Sequence, residues 1–123
     1  MGKVDPKHDI DHPGEAFRNY CERHHTCGIL KGPVSTISDG RSIEYSTGGG
    51  PVLARGGTGD ILAGMVAGLL AQNPEQPMEA LRDALTWHAA AADALARAHG
   101  HHAVRTTQLL DYLDVALRDT TPV

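Results

Sequence analysis

Aromatic side chains are scarce in this chain: one Trp, one Phe and three Tyr make up 4% of its 123 residues. A core built without them must rest on Leu, Val, Ile and Ala, which at this length allows one domain with a modest interior. An excess of positive charge is missing too. Eleven Lys and Arg stand against 15 Asp and Glu, for a net charge of −4 and a pI near 6.0. The basic residues form no stripe, which argues against a nucleic-acid or anionic-membrane binder. No apolar run is long enough to span a bilayer, since residues 61–70 are interrupted by Gly64 and Gly68. Cys21 and Cys27 are the only cysteines and lack a CxxC spacing, which points to reduced thiols in a cytoplasmic protein. The N-terminal MGKVDPKHDID is polar and acidic, unlike a secretory or transit peptide.

What remains has ordinary globular proportions, 41% hydrophobic and 21% charged, without internal repeats. Residues 1–12 read as a mobile lead-in and residues 13–123 as the folded part. Pro13 opens a short helix to about His25, with Ala16, Phe17, Tyr20 and Cys21 toward one side. Residues 27–30 form a short apolar run, expected as a buried strand. Residues 34–38 and 41–46 flank Asp39-Gly40, a two-residue hairpin signal. Residues 47–57 are rich in glycine and carry no periodicity, as in a loop.

After Gly59 the residues Ile61, Leu62, Met65, Val66, Leu69 and Leu70 form a double row at helical spacing, ended by Asn73-Pro74. Ala63, Gly64, Ala67, Gly68 and Ala71 make a second face small, which permits close approach of a neighbour. A helix apolar on so many sides is expected in the interior. A long helix follows from Met78 to about His99, with Met78, Leu81, Leu85, His88, Ala92 and Leu95 on one face and Gly100 as its stop. Thr106 or Thr107 is placed to cap a last helix carrying Leu109, Leu110, Leu113 and Leu117.

The chemistry concentrates in Arg55-Gly56-Gly57-Thr58-Gly59-Asp60-Ile61-Leu62. Glycines leading into a helix let a phosphate approach its first amides, which lack intrahelical partners and carry the positive end of the helix dipole. A carboxylate inside such a cradle repels phosphate, so Asp60 points to proton handling; the plain alternative is a glycine turn with Asp60 as a helix cap. The stretch is neither a Walker loop, which needs Lys before Ser or Thr, nor a GxGxxG dinucleotide motif. His24-His25 and the cluster of His99, His101 and His102 lack the spacing of a zinc site, and no metal ligands are assigned.

GGTGDILAGMVAGLLAQ resembles the signature of ribokinase-like enzymes, and is most similar to their ADP- or ATP-dependent NAD(P)H-hydrate dehydratase branch. The similarity takes in Leu30-Lys31-Gly32, the hairpin, Ser46-Thr47-Gly48-Gly49, the motif, and Trp87-His88 with Asp93. It covers residues of about 26–115. The resemblance implies an α/β fold: the C-terminal portion of a ribokinase-like three-layer architecture, with short strands including a hairpin and three to four helices. It implies an enzyme that repairs hydrated NADH or NADPH, phosphorylating the substrate hydroxyl so that it leaves, with ADP or ATP and Mg²⁺ as cofactors.

By the same resemblance, Asp60 is the catalytic base and touches the hydrated nicotinamide. Lys31, Gly32, Pro33, Val34 and Ser35 lie along the nucleotide, and Gly57, Thr58 and Gly59 hold the phosphate. His12-Pro13-Gly14-Glu15 is similar to the family's His-Pro-Gly-Glu, which makes His12 a substrate contact. Lys31 also reads as a solvated residue after a strand, and Arg55 either as a phosphate contact or as an exposed loop residue. His88 is either a satisfied core histidine or a shaper of the helix packing. Family members are about twice as long, so the chain resembles their C-terminal half. Its open sheet edge and apolar helix faces then imply a homo-oligomer or a partner supplying the rest. Two alternatives share the motif: a small-molecule kinase acting on a vitamin precursor or sugar, and a truncated nucleotide-binding remnant without turnover.

Overall fold

The computed structural model describes residues 12–101 and 104–120. The expected lead-in therefore falls outside the described residues except for His12, and His102 falls outside as well. The chain divides into two compact units, one ending at Ser46 and the other beginning at Thr47.

In the first unit, helix α1 (Pro13–Arg23) starts at Pro13, where a missing N–H costs nothing, and buries Gly14 and Cys21. Tyr20, expected on the apolar side, is instead about half exposed and stacks on His24, with ring centroids 4.3 Å apart. Strands β1 (Gly28–Leu30), β2 (Ser35–Ser38) and β3 (Ile43–Ser46) form an antiparallel meander in that order. All four residues of the central strand β2 are buried, with Ile37 the largest of them. The run at residues 27–30 was expected to be interior, yet β1 pairs only with β2 and leaves Leu30 40% exposed.

The hairpin is also wider than the two-residue turn implied by Asp39-Gly40. Its last pair is Ser38 with Ile43, so residues 39–42 form the connection. The cause is the Asp39 carboxylate, which accepts from the amides of Arg41 at 2.8 Å and Ser42 at 2.9 Å. Those bonds take Arg41 and Ser42 out of the ladder and into an Asx-type turn.

In the second unit, a 3-10 turn (Gly50–Ala54) interrupts the expected loop. Helix α2 (Thr58–Gln72) and helix α3 (Pro77–His99) follow, then a second 3-10 segment (Thr106–Tyr112) and helix α4 (Leu113–Thr120). The interior belongs to α3, which buries ten residues including Leu81, Leu85, His88 and Leu95. The other six are all alanines, from Ala80 to Ala96, whose small side chains let neighbours approach closely. Around them Val52, Val104, Leu109 and Ala116 complete the core. Helix α2 was expected to be the interior helix, but it buries only Thr58, Leu62 and Met65. Its small face is open: Ala63, Gly64, Ala67, Gly68 and Ala71 are exposed, and a Cβ added at Gly64 or Gly68 would meet nothing within 4 Å.

Asn73 and Gly100 end α2 and α3 as anticipated, with Gly100 in a left-handed φ of 82° and its N–H bonded to Ala96 O. Thr106 does not cap a helix. The 3-10 segment begins after Arg105, whose N–H is held by the Gln108 side chain at 2.6 Å. No described helix is long and apolar enough to cross a membrane.

Candidate active site

The glycine motif of the second unit folds into a tight turn that opens α2. Gly57 precedes the helix with φ at 91°, a conformation that L side chains rarely adopt. Thr58, Gly59 and Asp60 form the first helical turn, and no side chain caps it. The first bond of the helix runs from Ile61 N–H to Gly57 O at 3.4 Å. The amides of Gly59 and Asp60 have no carbonyl one turn back to receive them.

The Thr58 side chain is buried, and its hydroxyl lies 3.0 Å from both Leu53 O and Arg55 O. Its hydroxyl is thus engaged inside the turn, and its backbone N–H donates to Arg55 O at 3.5 Å. Asp60 is exposed and lines a groove of about 430 Å³ that runs along α2 past Gly64 and Gly68, with Trp87 and Leu110 opposite. A carboxylate at the mouth of an apolar groove, beside uncapped helix amides, combines a proton acceptor with an anion site.

Two contacts from distant segments reach this turn. The imidazole Nε2 of His88, 1% exposed in the middle of α3, lies 3.0 Å from Thr58 O. Because a carbonyl only accepts, that nitrogen carries the proton. The Thr106 hydroxyl donates to Gly56 O at 2.7 Å. Sequence reasoning did not find this use of Thr106, because a contact spanning 50 residues leaves no local pattern.

The remaining candidates lie in the first unit. Lys31, Gly32, Pro33 and Val34 form the exposed bend between β1 and β2, and Ser35 is buried at the start of β2. Desolvation holds the Lys31 ammonium below the usual lysine range. His12 precedes α1, and its carbonyl accepts from Ala16 N–H at 3.0 Å. His12 and Val34 line one open cavity of about 570 Å³ together with Glu15, Arg18, Thr36 and Tyr45. Among the described residues, no three His, Cys, Asp or Glu side chains converge as a metal site.

The family model described as NAD(P)H-hydrate dehydratase matches residues 6–114. The chain belongs to this family. An ADP-dependent (S)-NAD(P)H-hydrate dehydratase of Cenarchaeum symbiosum is 35% identical over 97 residues, which cover 79% of this chain and 33% of that protein. A bifunctional NAD(P)H-hydrate repair enzyme of Gloeobacter violaceus is 44% identical over 85 residues, covering 68% of this chain and 16% of the relative. Among solved structures, the ADP/ATP-dependent NAD(P)H-hydrate dehydratase from Bacillus subtilis, co-crystallized with ATP/Mg²⁺ and soaked with CoA, superposes with a TM-score of 0.82. It is 27% identical, and the match covers 94% of this chain and 43% of that one. The chain thus spans less than half the length of these relatives, and its fold is the corresponding part of the dehydratase fold.

Proposed function

We propose that the turn at residues 56–60 is the phosphoryl-transfer cradle of an ADP- or ATP-dependent NAD(P)H-hydrate dehydratase, with Asp60 as its base. The observation that carries this reading is Gly59. It lies within the helix, outside the left-handed region, and a Cβ there would meet nothing within 4 Å. Neither backbone conformation nor packing asks for glycine, although it costs a helix about 1 kcal/mol against alanine. A phosphate that must reach the first-turn amides supplies the reason.

The chemistry follows from the arrangement. Asp60 takes the proton of the substrate hydroxyl as that oxygen attacks the terminal phosphorus of the nucleotide, whose bridging P–O bond breaks. The Gly57 and Gly59 amides bear the charge that gathers on the transferring group, and Thr58, tied into the turn between them, holds the cradle in shape. Loss of phosphate and of a ring proton then restores the dihydronicotinamide of NADH or NADPH. Mg²⁺, entering with the nucleotide phosphates, would offset their charge and needs few protein ligands.

On the first unit, family likeness assigns Lys31, Gly32, Pro33, Val34 and Ser35 to the nucleotide and His12 to the substrate. Its two free cysteines assign the chain to a reducing compartment, the cytoplasm. The open small-residue face of α2 is read as a surface covered by a second copy or by a chain that supplies further elements of the fold.

The test is a coupled assay with purified chain, hydrated NADH, Mg²⁺ and either ADP or ATP, run beside Asp60→Asn. Recovery of NADH absorbance in the parent, falling at least about 100-fold in the variant, supports the reading. Nucleotide binding by calorimetry without recovery of NADH would leave a binding module, and transfer of phosphate to a stable acceptor would mark a kinase.

A further inference from the structure

We propose that Thr106 and His88 are positioning residues that aim the amides of the glycine turn at the nucleotide phosphate, a proposal that rests on the reading of residues 56–60 as a phosphate cradle. A trans peptide unit is planar, and its C=O and N–H point in opposite directions. Holding one carbonyl therefore sets the direction of the next residue's N–H. The carbonyl that Thr106 holds belongs to Gly56, and its peptide partner is the Gly57 N–H. The carbonyl that His88 holds belongs to Thr58, and its partner is the Gly59 N–H. These are two of the donors assigned to the phosphate, and both carbonyls are fixed from outside the turn.

The Thr106 methyl adds a second constraint. Its Cγ2 lies 3.2 Å from where a Cβ on Gly57 would stand, so the same side chain bonds one carbonyl and fills the space beside the left-handed glycine. The two holds come from different elements, α3 and the segment Thr106–Tyr112, and meet the turn at carbonyls two residues apart. The peptide between them is held as well, since Gly57 O accepts from Ile61 N–H at 3.4 Å and Thr58 N–H donates to Arg55 O at 3.5 Å. Such a turn is organised before the ligand arrives, so little binding energy is spent on ordering it.

Thr106 is only partly buried, which makes it the cleaner site to change. Thr106→Val keeps the shape and loses the hydroxyl; Thr106→Ser keeps the hydroxyl. Calorimetry with ADP and Mg²⁺ is expected to show binding about 5–10-fold weaker in the Val variant and near the parent value in the Ser variant. Backbone order parameters from ¹⁵N relaxation are expected to fall at Gly57 in the Val variant alone. His88→Gln, which keeps a donor, should retain the order at Gly59 that His88→Leu loses.

The proposal is overturned if Thr106→Val leaves either ADP affinity or the Gly57 order parameter unchanged, or if the Ser variant loses as much as the Val variant. If the parent chain itself binds no ADP, the cradle reading fails. The Gly57 order parameter then still decides whether Thr106 holds the turn: an unchanged value overturns the hold, and a lower one in the Val variant alone supports it.

Discussion

The indole N–H of Trp87 donates to the carbonyl of Leu113 at 2.6 Å, joining the middle of α3 to the first residue of α4. The ring of Trp87 also lines the groove that opens at Asp60. One side chain thus ties two helices together and faces the candidate site.

This is the only tryptophan in the chain, so its fluorescence reports on that groove without interference. Titration with ADP and Mg²⁺ is expected to shift or quench the emission, and Asp60→Asn should bind nucleotide while altering the response to hydrated NADH. Trp87→Phe keeps most of the apolar surface but loses the bond to the Leu113 carbonyl. The expected cost is about 1 kcal/mol in a denaturant titration.

Gly40 gives a sharper stability test. Its φ is +90°, and an added Cβ would lie 2.8 Å from the backbone N and Cα of Glu22. The Arg18 guanidinium also donates to its carbonyl at 3.2 Å, so the hairpin connection is seated against α1. Gly40→Ala must strain φ and push backbone against backbone, for a loss of about 2 kcal/mol or more. Gly56→Ala, with neither constraint, is expected to leave the melting temperature nearly unchanged.

The adjacent Asp39 carries a dependence on pH. The Ser42 and Arg41 amides that bond its carboxylate hold it below the usual carboxylate range. A pKa lower in the folded than in the unfolded chain means the anion is favoured by folding. Its contribution is complete above the unfolded value of about 3.9 and is lost as pH falls through the lower folded value. The stability difference between the parent and Asp39→Asn should therefore be constant near neutral pH and shrink below about pH 4. Denaturant titrations over that range measure it.

Leu30, Val34 and Tyr45 are exposed on the first unit, as are Leu110 and Leu117 on the second. Apolar side chains left this open favour association. Light scattering is expected to find a species larger than one chain, or a monomer that binds a hydrophobic dye. A monomer that binds no dye would count against association.

Much of the second unit was legible because its signals are local. The stops at Asn73 and Gly100, the helix start at the glycine motif and the long apolar face of α3 all follow from residues within a turn of one another. Burial was less legible. Helix α2 looks more apolar than α3 in sequence, yet α3 is the interior helix, since alanines score weakly as hydrophobic while packing closely. The hairpin width depended on one carboxylate capturing two amides, which a two-residue turn signal does not contain. At the candidate site, Asp60 and its glycines were visible from their order. Thr106 was expected as a helix cap and His88 as a core or packing histidine; the carbonyl each meets, across 50 and 30 residues, leaves no local pattern.

Gly64 and Gly68 give the open face of α2 a thermodynamic meaning. Each weakens a helix by about 1 kcal/mol relative to alanine, and neither has a neighbour within 4 Å of its missing Cβ. Within this unit the two glycines return nothing for that loss, so alanine at both positions should raise the melting temperature of the chain on its own. If the face is one that another surface must approach closely, the same two methyl groups will hold that surface away. A variant sturdier alone and poorer in assembly would show that α2 is tuned for company, at the expense of its own persistence.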